Sequence, residues 1–99
     1  MEFDGFEWDR GNRAKCQKHG VSIGEIESLF RGIPLVGPDK AHSAAEERFR
    51  AAGITEKGHP LFVVFTWRQK RKKRLLRPIS ARYMHRKEFE AHEKEISAL

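Results

Sequence analysis

The sequence predicts an α+β fold in which a small antiparallel sheet of three to four strands packs with two N-terminal helices and a C-terminal helix. Three observations lead there. The run Leu61-Phe62-Val63-Val64-Phe65-Thr66-Trp67 has the length and near-continuous apolar character of a strand covered on both faces. Two segments ahead of it begin with helix-capping residues, and the chain closes on a third helical pattern. Its 99 residues suit one domain, 1–99, with an ordinary hydrophobic core.

Each element has a local cause. Phe3, Phe6 and Trp8 space a short opening strand around Gly5. Asp9 offers an N-cap to a first helix running to about Lys18, and Gly20 supplies its stop. Ser22-Ile23-Gly24-Glu25 reads as a capping box, with Glu25 reaching back to the chain entering the helix. Ile23, Ile26 and Phe30 then share one face of a second helix that ends near Arg31-Gly32. From Ile33 to Ala45, Pro34, Gly37 and Pro38 interrupt the pattern, and an irregular stretch is expected. Arg48 to Thr55 reads as a strand of weak alternation, and Glu56 to Pro60 as the turn into the central strand, Leu61 to Trp67. The basic run Arg68 to Arg74 reads as a second turn. It leads to a strand from Leu75 to Tyr83, in which Pro78, lacking an N–H, calls for an edge or a bulge. From His85 the spacing turns helical, with Phe89, His92 and Ile96 along one side.

Charge is the second organising feature. Residues 68–87 hold ten of the twenty Lys and Arg and no Asp or Glu, while the other 79 residues carry ten basic and fourteen acidic side chains. The overall +6 is thus a local +10 set against a mildly acidic body. Such a concentration attracts polyanions to one surface, and nucleic acid is the first candidate. A solvated basic hairpin turn is the plain alternative. Cys16 is the single cysteine, so no intrachain disulfide framework is possible and no oxidising compartment is implied. Met1-Glu2-Phe3-Asp4 is acidic and unlike a secretory leader, and no apolar stretch nears the roughly 20 residues of a membrane span. A cytoplasmic protein is expected. The five His and Cys16 lack the short spacing of zinc ligands, and Gly53 to Gly58 lacks the pattern of a phosphate loop, so no metal or cofactor is expected.

RNA cleavage without a metal needs a group to draw the 2′-hydroxyl proton, cations to hold the scissile phosphate, and help for the departing 5′-oxygen. Arginine suits the second task because its planar fork grips phosphate bidentately. Arg68 ends the central strand and Arg82 ends the next; a hairpin between them would bring both to one rim of the sheet. They are either working residues or plain surface cations. His19 follows the first helix, where the dipole would favour its charged form, as a proton carrier or a C-cap. His85 is a general base or a surface residue. Glu46-Glu47-Arg48 supplies an acid/base carboxylate or simply ion-pairs with the basic surface. Trp67 and Tyr83 stack bases or belong to the core.

Phe6-Glu7-Trp8-Asp9, Lys18-His19-Gly20-Val21-Ser22, Glu46-Glu47-Arg48-Phe49 and Arg77-Pro78-Ile79-Ser80-Ala81-Arg82 occur in an order and spacing that resembles the BrnT family of toxins from bacterial type II toxin–antitoxin modules. The resemblance runs from about Phe6 to Glu93. It implies a RelE-like fold and a ribonuclease that blocks translation, held inactive by a BrnA-type antitoxin with a ribbon-helix-helix DNA-binding domain. It further implies a two-plus-two complex that represses its own operon. The matching positions are His19, Glu47, Arg48, Arg68, Ser80 and Arg82. The loop after Arg68 is longer and more basic than the family pattern.

The leading expectation is therefore a metal-independent endoribonuclease toxin. Arg82, Arg68 and Arg48 would hold the phosphate, and His19 or Glu47 would move protons. Lys70, Arg71, Lys72, Lys73, Arg74 and Arg77 would hold the RNA backbone. A non-catalytic nucleic-acid-binding module, or a corepressor acting with a DNA-binding partner, is the alternative. A structural protein whose basic loop meets acidic partners is a third reading.

Overall fold

Asp9 and Asn12 open the first helix with a reciprocal pair of bonds. The Asp9 side chain accepts from the Asn12 N–H at 3.0 Å and the Asn12 side chain accepts from the Asp9 N–H at 2.7 Å. In the computed structural model, which describes residues 1–42 and 45–97, α1 accordingly runs Arg10–Gln17. Gly20, at φ +86°, turns the chain as expected of a helix stop. Ser22 caps α2 (Ile23–Arg31) by accepting from the Glu25 N–H. The expected capping box is not completed. Glu25 is 3% exposed and turns its carboxylate to Tyr83, Thr55 and His59, at 2.6, 2.8 and 3.0 Å. Three tertiary donors outcompete one local N–H.

The sheet has five strands in the order β1-β5-β4-β3-β2: β1 (Gly5–Phe6), β2 (Leu35–Pro38), β3 (Phe49–Ile54), β4 (Pro60–Lys70) and β5 (Lys73–Tyr83). Two corrections to the expected architecture follow. The two-residue β1 runs parallel to β5, making the sheet mixed, and β2 forms where irregular chain was expected. The opening strand stands where it is expected, around Gly5, but its pattern carries no sign of its partner, and β2 is too short to show a period. Pro38 is tolerated in β2 because that strand lies at the sheet edge. After it comes a 3-10 turn at Lys40–His42.

β4 is central, as its composition requires, but the basic run is mostly strand. Only Arg71 and Lys72 turn, Arg71 at φ +57°, and the β4–β5 ladder extends from Lys70↔Lys73 to Leu61↔Tyr83. Pro78 sits at a bulge: Val64 pairs Ser80 while Phe65 pairs Pro78, leaving Ile79 as the extra residue. The Pro78 carbonyl accepts from the Asn12 side chain at 2.8 Å, so α1 serves the strand where β1 has ended.

Leu61, Val63 and Phe65 join Cys16, Val21, Ile26, Leu29, Phe30, Ala51, Leu76 and Ala81 in the core between the sheet and α1 and α2. Gly53 admits this packing, since a Cβ there would lie 2.7 Å from Leu29 Cδ1. The last helix, α3 (Arg86–Ser97), lies on the other face. Its His92 ring meets Phe62 at 4.9 Å between centroids; the side chain of Ile96 lies outside the described ones. Among the described residues no helix is long and apolar enough to cross a membrane.

Candidate functional site

Strand alternation puts Phe62, Val64, Thr66 and Arg68 on the face of β4 turned away from α2. On β5, Arg77 and Arg82 are an odd number of residues apart and would face opposite ways in an unbroken strand. The bulge at Ile79 restores the parity, so Arg77 (opposite Thr66), Ser80 (opposite Val64) and Arg82 (opposite Phe62) share that face. Toward the hairpin end it becomes a cleft of about 280 Å³ lined by Gly11, Asn12, Lys15, Glu46, Arg48, Arg68, Arg77 and Ile79. Four cations and one carboxylate thus converge from α1, the segment before β3, β4 and β5.

Three acidic residues orient the cations. Arg68 Nη1 lies 3.0 Å from Glu46 and its Nε 3.5 Å from Glu7. Glu7 also holds Lys70 at 2.8 Å and Arg77 at 3.2 Å, and Arg77 donates to Asp9 at 2.9 Å. The Lys70 hydrogen bond, with the Arg77 and Arg68 charges beside it, keeps the Glu7 carboxyl below its ordinary pKa although burial opposes this. Burial works against the Arg77 charge, but Asp9 and Glu7 outweigh it and raise the arginine's pKa. Guanidinium and ammonium groups held by carboxylates around a cleft can grip a phosphate and stabilise charge that builds on it.

The structure gathers only part of the expected set. Arg48, Arg68 and Arg77 line the cleft. Glu46 lines it in place of Glu47, which is exposed and offers its backbone carbonyl to Thr66 Oγ1 at 2.7 Å. His19 is exposed beyond the end of α1, and His85 is exposed just before α3. Arg82 is not at the rim of Arg68. The register sets Arg68 against Leu75 and Arg82 against Phe62, six residues along β4, or about 20 Å. A tight hairpin juxtaposes residues equidistant from its turn, and Arg82 lies far beyond that position. There its guanidinium covers the Phe62 ring at 4.9 Å and pairs bidentately with Glu88 of α3, at 2.9 and 2.6 Å.

The basic ribbon is exposed from Lys70 to Arg74, with Arg71, Lys72 and Lys73 at its tip. Lys70 belongs to Glu7, and Arg74 stacks on Trp67 at 3.6 Å while bonding Asp4 and the Glu2 carbonyl. Sequence reasoning missed Lys15 and Glu7 as site residues. Lys15 stands three and four residues from Asn12 and Gly11, a helical spacing that marks one face of α1. Glu7 lies inside the aromatic-acidic opening motif, but nothing in that motif points to cations seventy residues away.

The deciding comparison is with protein families: the description "Ribonuclease toxin, BrnT, of type II toxin-antitoxin system" matches residues 8–88. The chain belongs to this family. All the residues lining the cleft fall within the matched span, Glu7 lies one position before it, and α3 beyond Glu88 lies after it. No curated protein matches the chain. Membership in the BrnT family brings a ribonuclease toxin and an antitoxin counterpart as its class of function.

Proposed function

We propose that this BrnT-family toxin stops translation by cutting RNA in the cleft between α1 and the β4–β5 hairpin, without a metal ion. The convergence of Lys15, Arg48, Arg68 and Arg77 beside Glu46 is the observation that supports it. Arg68 and Arg77 bracket the scissile phosphate, and Arg48 and Lys15 neutralise its free oxygens. Glu46 takes the proton from the 2′-hydroxyl as that oxygen bonds to phosphorus. The bond to the 5′-oxygen breaks, that oxygen takes a proton from the Lys15 ammonium, and a 2′,3′-cyclic phosphate and a 5′-hydroxyl end result. In this reading the fixed cations do the work a metal would do.

The Arg71-Lys72-Lys73 tip holds flanking RNA, free or on the ribosome. The protein works in the cytoplasm. A BrnA-like ribbon-helix-helix antitoxin covers the cationic cleft with acidic side chains, in a two-plus-two complex that reaches operator DNA through the antitoxin.

Induced expression in a bacterial host, following growth and RNA integrity, tests this reading. Wild type should arrest growth and cut RNA. Arg68→Ala should stay folded and bind RNA while losing roughly 10²- to 10³-fold in cleavage rate. Normal growth and intact RNA from folded wild-type protein would instead indicate a non-catalytic binding module, which the exposed basic tip also fits.

A further inference from the structure

The sheet face used by the cleft continues under α3, and there the protein presents nucleotide-like chemistry to itself. Arg82 and Arg50 face α3, as does the Phe62 ring. Glu88 sits bidentately on Arg82, Glu95 pairs with Arg50, and the His92 ring lies over Phe62, tilted 34°. Residues 88, 92 and 95 are one face of α3. Two carboxylates on arginines and a flat nitrogen heterocycle on an aromatic ring reproduce two phosphates and a base. The arrangement is imperfect, because Arg50 Nε and His92 Nδ1 are buried with no hydrogen-bond partner among the described residues. Among the described side chains, α3 docks through the two ion pairs and the His92–Phe62 contact, with Phe89 half-buried, and ion pairs open to solvent hold a helix weakly.

We propose that Arg50, Phe62 and Arg82 form a second RNA-binding surface, which takes the strand leaving the cleft, and that α3 occupies it in the free protein as an internal mimic. Arginine for phosphate and phenylalanine for a base is the pairing that single-strand binders use. The surface shares a face with Arg68 and Arg77, so one strand can cross both. This inference rests on the RNA-cleaving reading of the cleft.

The test is the affinity of a fluorescein-labelled 2′-O-methyl oligoribonucleotide of about 15 nucleotides, which resists cleavage for want of a 2′-hydroxyl. The double variant Glu88→Gln, Glu95→Gln should bind it about fivefold tighter than wild type, and adding Arg50→Gln and Arg82→Gln should abolish the gain. Glu90→Gln with Glu93→Gln changes charge equally on exposed positions of α3 and should give a much smaller gain. Equal gains from the two pairs, or none from the first, would overturn the proposal. Hydrogen exchange on wild-type protein needs no variant: saturating oligonucleotide should speed exchange of α3 amides. Unchanged or slower exchange of α3 in the complex would sink the idea. Wild type that binds through Arg68 and Arg77 yet fails these tests leaves the cleft reading standing; wild type that binds no RNA refutes the cleft reading itself.

Discussion

Arg68 and Arg82 are the same residue type on adjacent strands, and their neighbours give them different work. Arg68 is held between Glu46 and Glu7 at the cleft, while Arg82 lies over Phe62 and under α3. Glu7 is the other decisive single residue, since one carboxylate spaces Arg68, Lys70 and Arg77. Glu7→Gln should therefore separate binding from chemistry. Removing the anion makes the cleft more positive, so RNA affinity at low salt should hold or rise, while the loosened guanidiniums lower kcat by about tenfold. Single-turnover cleavage beside equilibrium binding of the uncleavable oligonucleotide checks this. A parallel fall in both quantities would mean that Glu7 contacts the substrate. Arg68 was legible as a candidate from residue chemistry, because a phosphate site needs arginine, and Arg48 only from the resemblance to the family pattern. Glu46 against Glu47 was not, because adjacent positions differ only in which way the folded chain points them.

Helix ends follow local chemistry, so α1 and α2 start where Asp9 and Ser22 place them. The hairpin is less local. A run of seven residues, six of them Lys or Arg, reads as a loop, yet the ladder continues to Lys70↔Lys73 and only two residues turn. Cross-strand pairing and the Arg74 stack on Trp67 stabilise strand geometry that the charge alone would oppose. The consequence is a paired ribbon with three cations at its tip and Lys70 and Arg74 committed below it. Arg71→Gln, Lys72→Gln and Lys73→Gln together should reduce the slope of log affinity against log salt by about 2, as expected for losing up to three phosphate contacts on single-stranded RNA. The cleavage rate at saturating substrate should barely move. An unchanged slope in a salt titration would show that the tip does not touch RNA.

Hydrogen bonds and neighbouring cations hold several carboxyls, among them Glu7, Glu25, Glu88 and Glu95, below their ordinary pKa in the folded protein, so the fold should lose stability in acid. For Glu25 burial pushes the other way, but hydrogen bonds from Tyr83, Thr55 and His59 prevail, and the same contact pushes the Tyr83 phenol up to about 12. A carboxyl depressed on folding contributes its stability above its unfolded pKa and loses it as pH falls through the folded value. Denaturant unfolding should thus show stability declining below the ordinary carboxyl range. In Glu25→Gln that acid limb should be flatter and stability at neutral pH lower by about 1–3 kcal/mol, since an amide cannot accept all three donors. Equal stability at neutral pH would remove Glu25 from the list of structural anchors. The helix caps, the central strand and the concentration of positive charge follow from the sequence, because each depends on neighbours within a few positions. The parallel strand β1, the bulge that turns Arg77 to the side of Arg82, and the meeting of residues 15, 46, 48, 68 and 77 were decided by the tertiary structure. Phe3 to Trp8 announce an opening strand and Pro78 a bulge, but the partner of β1, the face the bulge gives Arg77 and the meeting at the cleft depend on strand register and helix docking between segments as much as seventy residues apart, which no local pattern encodes.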